Sequence, residues 1–171
     1  MTSKSGGTVV ALEANAALEA TADKLINTLN MVQRVSARLE DLVKHEFDQL
    51  GRLDVNATQA LLLFRIGDKE MMAGQLRTDG IYLGSNVSYN ITKLRDLGYL
   101  DHQRSRVDRR SVRIKLTDKG QQVRRIVEQL FVKHARLLAP SGDIRDEDLD
   151  RLVTYMQKLD RFFHQSIMYQ F

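Results

Sequence analysis

The sequence predicts a mainly α-helical fold that contains one small β-hairpin. Three observations indicate this class. Apolar residues recur at steps of three and four along most of the 171 residues, as they do on one face of a helix. A short stretch at 111–116, "SVRIKL", alternates apolar and basic side chains instead, which is typical of a strand. Glycines follow the helical stretches at Gly51, Gly67 and Gly98, where they end helices well.

Length and composition restrict the class of protein. A chain of 171 residues with 28% charged and 43% hydrophobic residues is expected to fold as one globular domain with helical extensions. It has no cysteine, which excludes disulfides and thiolate chemistry and fits a reducing cytoplasm. Apolar runs such as "ALLLF" are too short to span a bilayer, and no secretory apolar region follows Met1. We therefore expect a cytoplasmic protein with no membrane partner.

The N-terminal third predicts a short tail and then a long helix. Residues 1–8 are small and polar and are expected to be disordered. Residues 9–50 keep a 3.6-residue apolar period up to Gly51. Because such a helix is long for a globular domain, it suggests packing outside its own subunit, and we interpret 9–50 as a helical dimerisation segment.

Three further helices are predicted before the hairpin. The second is "DVNATQALLLFRIGD", capped at Asp54 or Asn56 and ended by Gly67. The third is "KEMMAGQLRTDG", with Met72 and Leu76 inward. The fourth is "SNVSYNITKLRDLGYL" at 85–100, which begins at the N-cap Ser85 and ends at Gly98. Its apolar face is predicted to be buried and comprises Val87, Ile91, Leu94 and Leu97.

The hairpin and two more helices complete the chain. "YLDHQRS" is expected to pair with the strand whose inward residues are Val112, Ile114 and Leu116. Thr117 is the predicted N-cap of the next helix, which runs to Pro140, and a last helix follows "SGD". We interpret 121–171 as C-terminal dimerisation helices. The last helix has an apolar face that comprises Leu149, Leu152, Val153, Met156, Leu159, Phe163 and Ile167.

This order of elements predicts a winged helix-turn-helix lobe over residues 54–120, between long terminal helices that form a dimerisation domain. Such a lobe places its second helix in the DNA major groove and its β-wing on the neighbouring backbone or minor groove. The charge supports this, because residues 85–125 carry eleven Lys/Arg and four Asp, a net +7 in a chain of net +4. On charge alone, a solvated basic face and a polyanion-binding surface are equally good interpretations.

The polar face of the fourth helix is the predicted base-reading surface. In an isolated helix a solvated face would be the better interpretation. Before a basic wing, DNA contact is favoured, because Asn can bind adenine, Lys suits guanine or phosphate, and hydroxyls suit phosphate. The predicted DNA-contacting residues of this helix are Ser85, Asn86, Ser88, Tyr89, Asn90 and Lys93.

In these motifs the sequence resembles the MarR (multiple-antibiotic-resistance regulator) family of bacterial transcription factors. Ser85-Asn86-Val87-Ser88 opens the predicted recognition helix, and Leu94-x-x-x-Gly98-Tyr99-Leu100 ends it. The wing then contributes Asp108-x-Arg110, Val112-x-Ile114 and Leu116-Thr117-x-x-Gly120. The resemblance extends over about 25–163. Gly80 and Asn90 depart from it, because the family usually has apolar residues there.

The resemblance implies roles for the wing and for an effector site. It places Arg110 at the wing tip in the minor groove, where we expect Asp108 to orient it through a charge-assisted hydrogen bond. The other wing residues predicted to lie near phosphates are Arg104, Arg106, Arg109 and Arg113. The resemblance also implies that an aromatic or acidic effector binds between the dimer base and the DNA-binding lobe. That the residues there are simply part of the core is an equally good interpretation. The residues concerned are Leu39, Val43, Phe47, Leu61, Phe64 and Arg65.

Other chemistry is not indicated. The four histidines lie on different predicted elements without metal-ligand spacing, so no metal site and no cofactor are predicted. No nucleophile triad, paired carboxylate cleft or Gly-rich phosphate loop is recognisable, and an enzyme is not expected. The sequence predicts a dimeric, ligand-responsive repressor that binds a pseudo-palindromic duplex site. Two alternatives stay open: an architectural basic dimer with little sequence preference, and an interaction module whose hairpin binds an acidic protein.

Overall fold

The structure is a computed structural model that describes residues 5–72, 87–104 and 112–169. Within those ranges the elements are α1 (Ser5–Gln49), α2 (Ala57–Ile66), β1 (Met71–Met72), α3 (Val87–Asp96), β2 (Leu100–Arg104), β3 (Val112–Leu116), α4 (Asp118–Ser141) and α5 (Asp146–Tyr169). This is the predicted winged-helix class, mainly helical with a small antiparallel sheet.

The predicted helix boundaries are confirmed where side chains cap them. Asn56 caps α2 in a reciprocal box, in which its Oδ1 accepts from the Gln59 backbone N–H and the Gln59 side chain accepts from the Asn56 N–H. Gly67 ends the helix with φ 71°. Thr117 caps α4, as predicted, by accepting from the Gly120 N–H.

The sheet has three strands in the order β1-β3-β2. Strands β2 and β3 form the predicted antiparallel hairpin, with Leu100 opposite Leu116 and Arg104 opposite Val112. Ile114 and Leu116 are buried and Arg113 and Lys115 are exposed, which confirms the predicted alternation at these four positions. Strand β1 pairs with the other edge of β3, where Met71 lies opposite Ile114.

The core lies where the C-terminal end of α1, helix α2, the sheet and α4 meet. The α1 residues Val43 and Phe47 pack there with the α3 residue Leu94. Other buried members are Ala60, Leu63, Ile66, Ile114, Val123, Val127 and Leu130. Phe64 and Phe131 join α2 to α4 in an edge-to-face contact with ring centroids 5.1 Å apart.

Three predictions about local structure are wrong. Residues 5–8 belong to α1, so the tail predicted over 1–8 does not include them. Met71–Met72 is a strand and not part of a helix, because β3 offers it a hydrogen-bonding edge; the rest of the predicted third helix lies outside the described residues. Leu97 is 38% exposed, because α3 has ended at Asp96 and the chain turns away at Gly98 with φ 76°.

The terminal helices leave apolar residues uncovered. Helix α5 has no buried residue in the described structure, so its predicted apolar face is not buried within this chain. A groove of about 560 Å³ runs between α1 and α5 and has an almost wholly apolar lining, which includes Met31, Val32, Val35, Leu152 and Met156. No helix among the described residues is long and apolar enough to cross a bilayer.

Candidate nucleic-acid interface

Helix α3 presents one exposed polar face and one buried face. Ser88, Tyr89 and Lys93 are exposed, with 63% of the Tyr89 surface accessible. Leu94 is fully buried on the opposite face, and Ile91 packs partly against the core. The structure therefore brings three of the six residues predicted for this helix onto one outward surface. Ser85 and Asn86 lie outside the described residues.

Asn90 is not on that surface, so its predicted DNA contact is wrong. It is only 9% exposed, and its Oδ1 accepts a hydrogen bond of 3.2 Å from the Gln59 Nε2 of α2. The helical spacing explains the error, since Asn90 is three residues after Val87, which is predicted for the apolar face, and four residues before the buried Leu94. This spacing indicates a buried position, but the polar side chain of Asn90 favours the interpretation that it is exposed.

A cluster around Tyr99 holds the end of α3, and sequence reasoning did not identify it. Tyr99 is fully buried, and its hydroxyl donates a hydrogen bond to Asp54, in the loop before α2. Lys119 lies over the Tyr99 ring with its Nζ 4.0 Å from the centroid and 3.8 Å from Asp54. The three residues come from three separate segments of the chain, so no local sequence motif predicts the cluster.

The surroundings of Tyr99 shift two pKa values. The hydrogen bond from Tyr99 lowers the pKa of Asp54, and the nearby Arg52 and Lys119 also favour its ionised form. Burial raises the pKa of Tyr99, and the hydrogen bond to Asp54 raises it further. At neutral pH the donor is therefore a neutral hydroxyl and the acceptor a carboxylate, which makes the hydrogen bond charge-assisted.

The start of α4 also forms hydrogen bonds with the segment that follows α3. Thr117 Oγ1 donates to the Gly98 carbonyl at 2.7 Å, and Lys119 Nζ donates to the Leu97 carbonyl at 3.1 Å. The Tyr99 carbonyl accepts from the Thr117 N–H and packs directly against Gly120, where a Cβ atom would collide with it. The end of α3 is thus fixed by backbone contacts as well as by the Tyr99 side chain.

The described base of the wing is basic and carries an ion pair. Arg113 on β3 is exposed and its Nη1 lies 3.1 Å from Glu70, just before β1. Lys115 is exposed on the same face of β3. Arg104 ends β2 beside Val112. Predicted wing residues that lie outside the described residues are Arg106, Asp108, Arg109 and Arg110.

The residues considered for an effector site occupy three environments. Val43, Phe47 and Leu61 are buried members of the core, and Leu39 and Phe64 pack partly against it. Arg65 is exposed. For the three buried residues the structure agrees with the alternative interpretation that they are part of the core. An effector site at Leu39, Phe64 and Arg65 stays a prediction. No group of His, Asp or Glu suited to a metal ion occurs among the described residues.

Comparisons with known proteins agree with this geometry. Residues 55–120 match the model of a winged helix DNA-binding domain family. The exopolysaccharide II synthesis transcriptional activator ExpG of Rhizobium meliloti (strain 1021) is 36% identical over 131 residues, which are 77% of this chain. The match covers 66% of ExpG, so this chain spans just under two thirds of its length.

Solved structures share the fold at lower identity. AbsC, a MarR family transcriptional regulator from Streptomyces coelicolor, superposes with a TM-score of 0.64 at 18% identity, over 84% of this chain and 96% of AbsC. Reduced AbfR bound to DNA superposes with a TM-score of 0.60 at 19% identity, over 85% of this chain and 99% of AbfR. Residues 55–120 therefore match a winged helix DNA-binding domain family, and the chain shares the fold of these two solved proteins, of which AbsC is a MarR family transcriptional regulator.

Proposed function

We propose that the protein is a sequence-specific DNA-binding transcriptional regulator that acts as a homodimer. Residues 85–97 bind in the major groove, and the wing at 104–113 reaches the minor groove. The observation that carries this proposal is the exposed face of Ser88, Tyr89 and Lys93 on a helix whose other face is anchored in the core. Hydroxyl and ammonium donors of this kind suit phosphate oxygens and guanine edges.

Electrostatics and a relative support the same proposal. The net +7 of residues 85–125 favours a polyanion over an acidic protein surface of limited charge, since DNA carries one negative charge per about 1.7 Å of its axis. AbfR, which shares the fold over 85% of this chain, has been solved bound to DNA.

The uncovered terminal helices support a homodimer. An apolar groove open to water is unfavourable in a monomer, and the α1–α5 groove combines residues of the two terminal helices. A second copy offers the same apolar surface, so a two-fold interface buries both at once. Two recognition helices related by that axis would read a pseudo-palindromic site.

Repression and activation are both candidate modes of regulation. A bound dimer represses when its site overlaps the polymerase site, and the ligand-responsive repressor predicted from the sequence works in this way. ExpG is named a transcriptional activator, and that observation favours activation as the second candidate. Transcription in vitro from a promoter that contains the selected site distinguishes the two modes.

Selection from random duplex DNA with the full chain tests the proposal. We expect an enriched pseudo-palindrome that the protein binds at least about a thousandfold more tightly than random duplex at the same salt concentration. Equal affinity for both duplexes would instead establish the architectural alternative. Absence of DNA binding at low salt would favour the interaction module.

A further inference from the structure

The buried pair Gln59–Asn90 is the one side-chain hydrogen bond described between α2 and the recognition helix α3. Gln59 is 2% exposed and Asn90 is 9% exposed, so the pair is shielded from water. Among the described residues, no buried side-chain nitrogen or oxygen lacks a partner. A polar pair of this kind sits where two apolar side chains would pack without any hydrogen-bonding requirement.

Gln59 connects the pair to the start of α2. Its Oε1 accepts from the Asn56 N–H at 3.2 Å, while its Nε2 donates to Asn90. The capping box thus holds the side-chain oxygen of Gln59, while its side-chain nitrogen donates to Asn90. Because Gln59 is itself bound to the backbone at Asn56, it is less free to change its rotamer. Its hydrogen bond therefore fixes Asn90 relative to the N-terminus of α2.

Apolar contacts alone restrict α3 less. The remaining described core contacts of α3 come from Leu94 and Ile91, and burial of apolar surface has little directional preference. A hydrogen bond, by contrast, weakens steeply when its angle is lost. Buried polar residues set register between helices in this way in other systems. Tyr99 and Gly98 hold the segment that follows α3, whereas Asn90 attaches the helix itself to α2 at a position six residues before the helix ends at Asp96.

We propose that Gln59 and Asn90 are positioning residues for base recognition. Their hydrogen bond fixes the rotation of α3 about its axis, and this rotation determines where Tyr89 and Lys93 point. The pair therefore determines DNA specificity without touching DNA. The inference rests on the proposed function, because it concerns how the same helix reads its site.

The test compares specificity with stability in the full-length protein. Asn90→Leu replaces the acceptor by an apolar side chain of similar size, whereas Asn90→Asp keeps an acceptor oxygen for Gln59. For each variant we measure the ratio of affinities for the selected site and for sites with one base pair changed per half-site. We expect Asn90→Leu to lower this ratio about tenfold and Asn90→Asp to keep it within about threefold of the wild type.

A matched control separates positioning from general destabilisation. Val123→Ala removes buried volume from α4 without removing either member of the Gln59–Asn90 hydrogen bond, and should lower the melting temperature without changing the affinity ratio. The salt dependence of binding to random duplex should be unchanged in all variants, because the phosphate contacts are not altered. If Asn90→Leu does not fold, Asn90→Ser, which is too short to reach Gln59, takes its place with the same expected loss.

The outcomes are distinguishable. A wild-type protein without sequence preference would overturn the proposed function and this inference with it. A selective wild type with an unchanged ratio in Asn90→Leu, or in Asn90→Ser where that replaces it, would overturn the inference alone. An equal loss of ratio in Val123→Ala would also overturn it, since the effect would then follow from stability.

Discussion

At the scale of single residues, Tyr99 makes several different contacts that hold the end of α3. It fills the core, donates to Asp54 and supports the Lys119 ammonium on its ring. Its carbonyl accepts from the start of α4 and leaves no room for a side chain at position 120. Substitutions at Tyr99 and Gly120 therefore test separate parts of one junction.

Removing the hydroxyl in Tyr99→Phe should lower the free energy of unfolding by about 1 kcal/mol at neutral pH. This is less than is usual for a hydrogen bond to a charged group, because Asp54 is half exposed. The aromatic ring and its contact with Lys119 remain. Urea unfolding measures the difference, and an unchanged midpoint would show that water replaces the hydroxyl without loss.

The pH dependence of that difference has a defined sign. The pKa of Asp54 is lowered below 3.8 in the folded state, so its contribution to stability is complete above pH 3.8 and is lost as the pH falls through the folded value. The pKa of Tyr99 is raised above 10.0, so its contribution is complete below pH 10.0 and is lost as the pH rises through the folded value. The stabilities of wild type and Tyr99→Phe should therefore converge at both extremes. A constant difference down to about pH 3 would contradict the role given to Asp54.

Gly120→Ala should destabilise the protein by about 1–3 kcal/mol, because the new methyl group meets the Tyr99 backbone carbonyl and not a flexible side chain. Gln122→Ala, at an exposed position of the same helix, is the matched control and should have little effect. Thermal unfolding of both variants measures the difference. Equal stabilities would show that the strand and α4 separate readily.

At the scale of elements, the recognition helix is defined by what holds it as much as by what it exposes. Three contacts fix α3. Leu94 packs in the core, Asn90 accepts a hydrogen bond from Gln59, and the Gly98–Tyr99 segment is hydrogen-bonded to the start of α4. An exposed side chain on such a helix starts from a fixed position, which reduces the entropy lost on binding.

Lys93→Ala should weaken binding to the selected site by about 1–3 kcal/mol without changing the melting temperature, because Lys93 is exposed and outside the core. Arg95→Ala is the control, since Arg95 lies on another face of α3 and pairs with Asp96 at 2.7 Å. Fluorescence anisotropy at fixed salt compares the two. A larger loss in Arg95→Ala would mean that the DNA-facing side of α3 has been assigned incorrectly.

The predictability of these elements depends on whether their causes are local. The sequence predicts a cap at Asp54 or Asn56 for α2 and at Thr117 for α4, because capping is decided within four residues, and the structure has Asn56 and Thr117. The strand at Met71–Met72 was missed because its hydrogen-bonding partner is more than forty residues away in sequence. Asn90 was misassigned because a buried amide is stable only with a partner, and nothing near it in sequence shows that Gln59 provides one.

At the scale of the whole molecule, the predicted dimer gives two measurable consequences. Leu152→Glu places a charge on the α1–α5 groove, where Leu152 is 52% exposed in the single chain. We expect this variant to lose the dimer and to aggregate or unfold at temperatures where the wild type is folded, because we predict that dimerisation and folding are one event. Gln157→Glu adds the same charge on the same helix and should remain dimeric.

Light scattering after size exclusion, together with melting at several protein concentrations, distinguishes the outcomes. The wild-type melting temperature should rise with concentration. A soluble, cooperatively folded Leu152→Glu monomer would refute the coupling of folding to dimerisation.

Salt dependence reports the phosphate contacts of the dimer as a whole. If about half of the basic residues predicted to face DNA contact phosphate, some six counterions are released and log K falls with log salt at a slope near −5. Arg110→Ala should make this slope shallower by about two per dimer, whereas Gln157→Glu should leave it unchanged. A slope near zero would show that binding does not depend on phosphate contacts.

The strand order also keeps strand β3 away from both edges of the sheet. Strand β3, with the alternating sequence "VRIKL", lies in the centre and pairs along its whole length with β2 on one side and at Arg113 and Ile114 with β1 on the other. A strand of this pattern with a free edge would be a template for pairing with another chain. Strand β1 pairs with only two residues of β3, Arg113 and Ile114, so this side of the central strand is held by the shortest strand described. Opening the Met71–Met72 pairing would leave that side of β3 unpaired, and we expect another chain to pair with it there more readily than when β1 is in place.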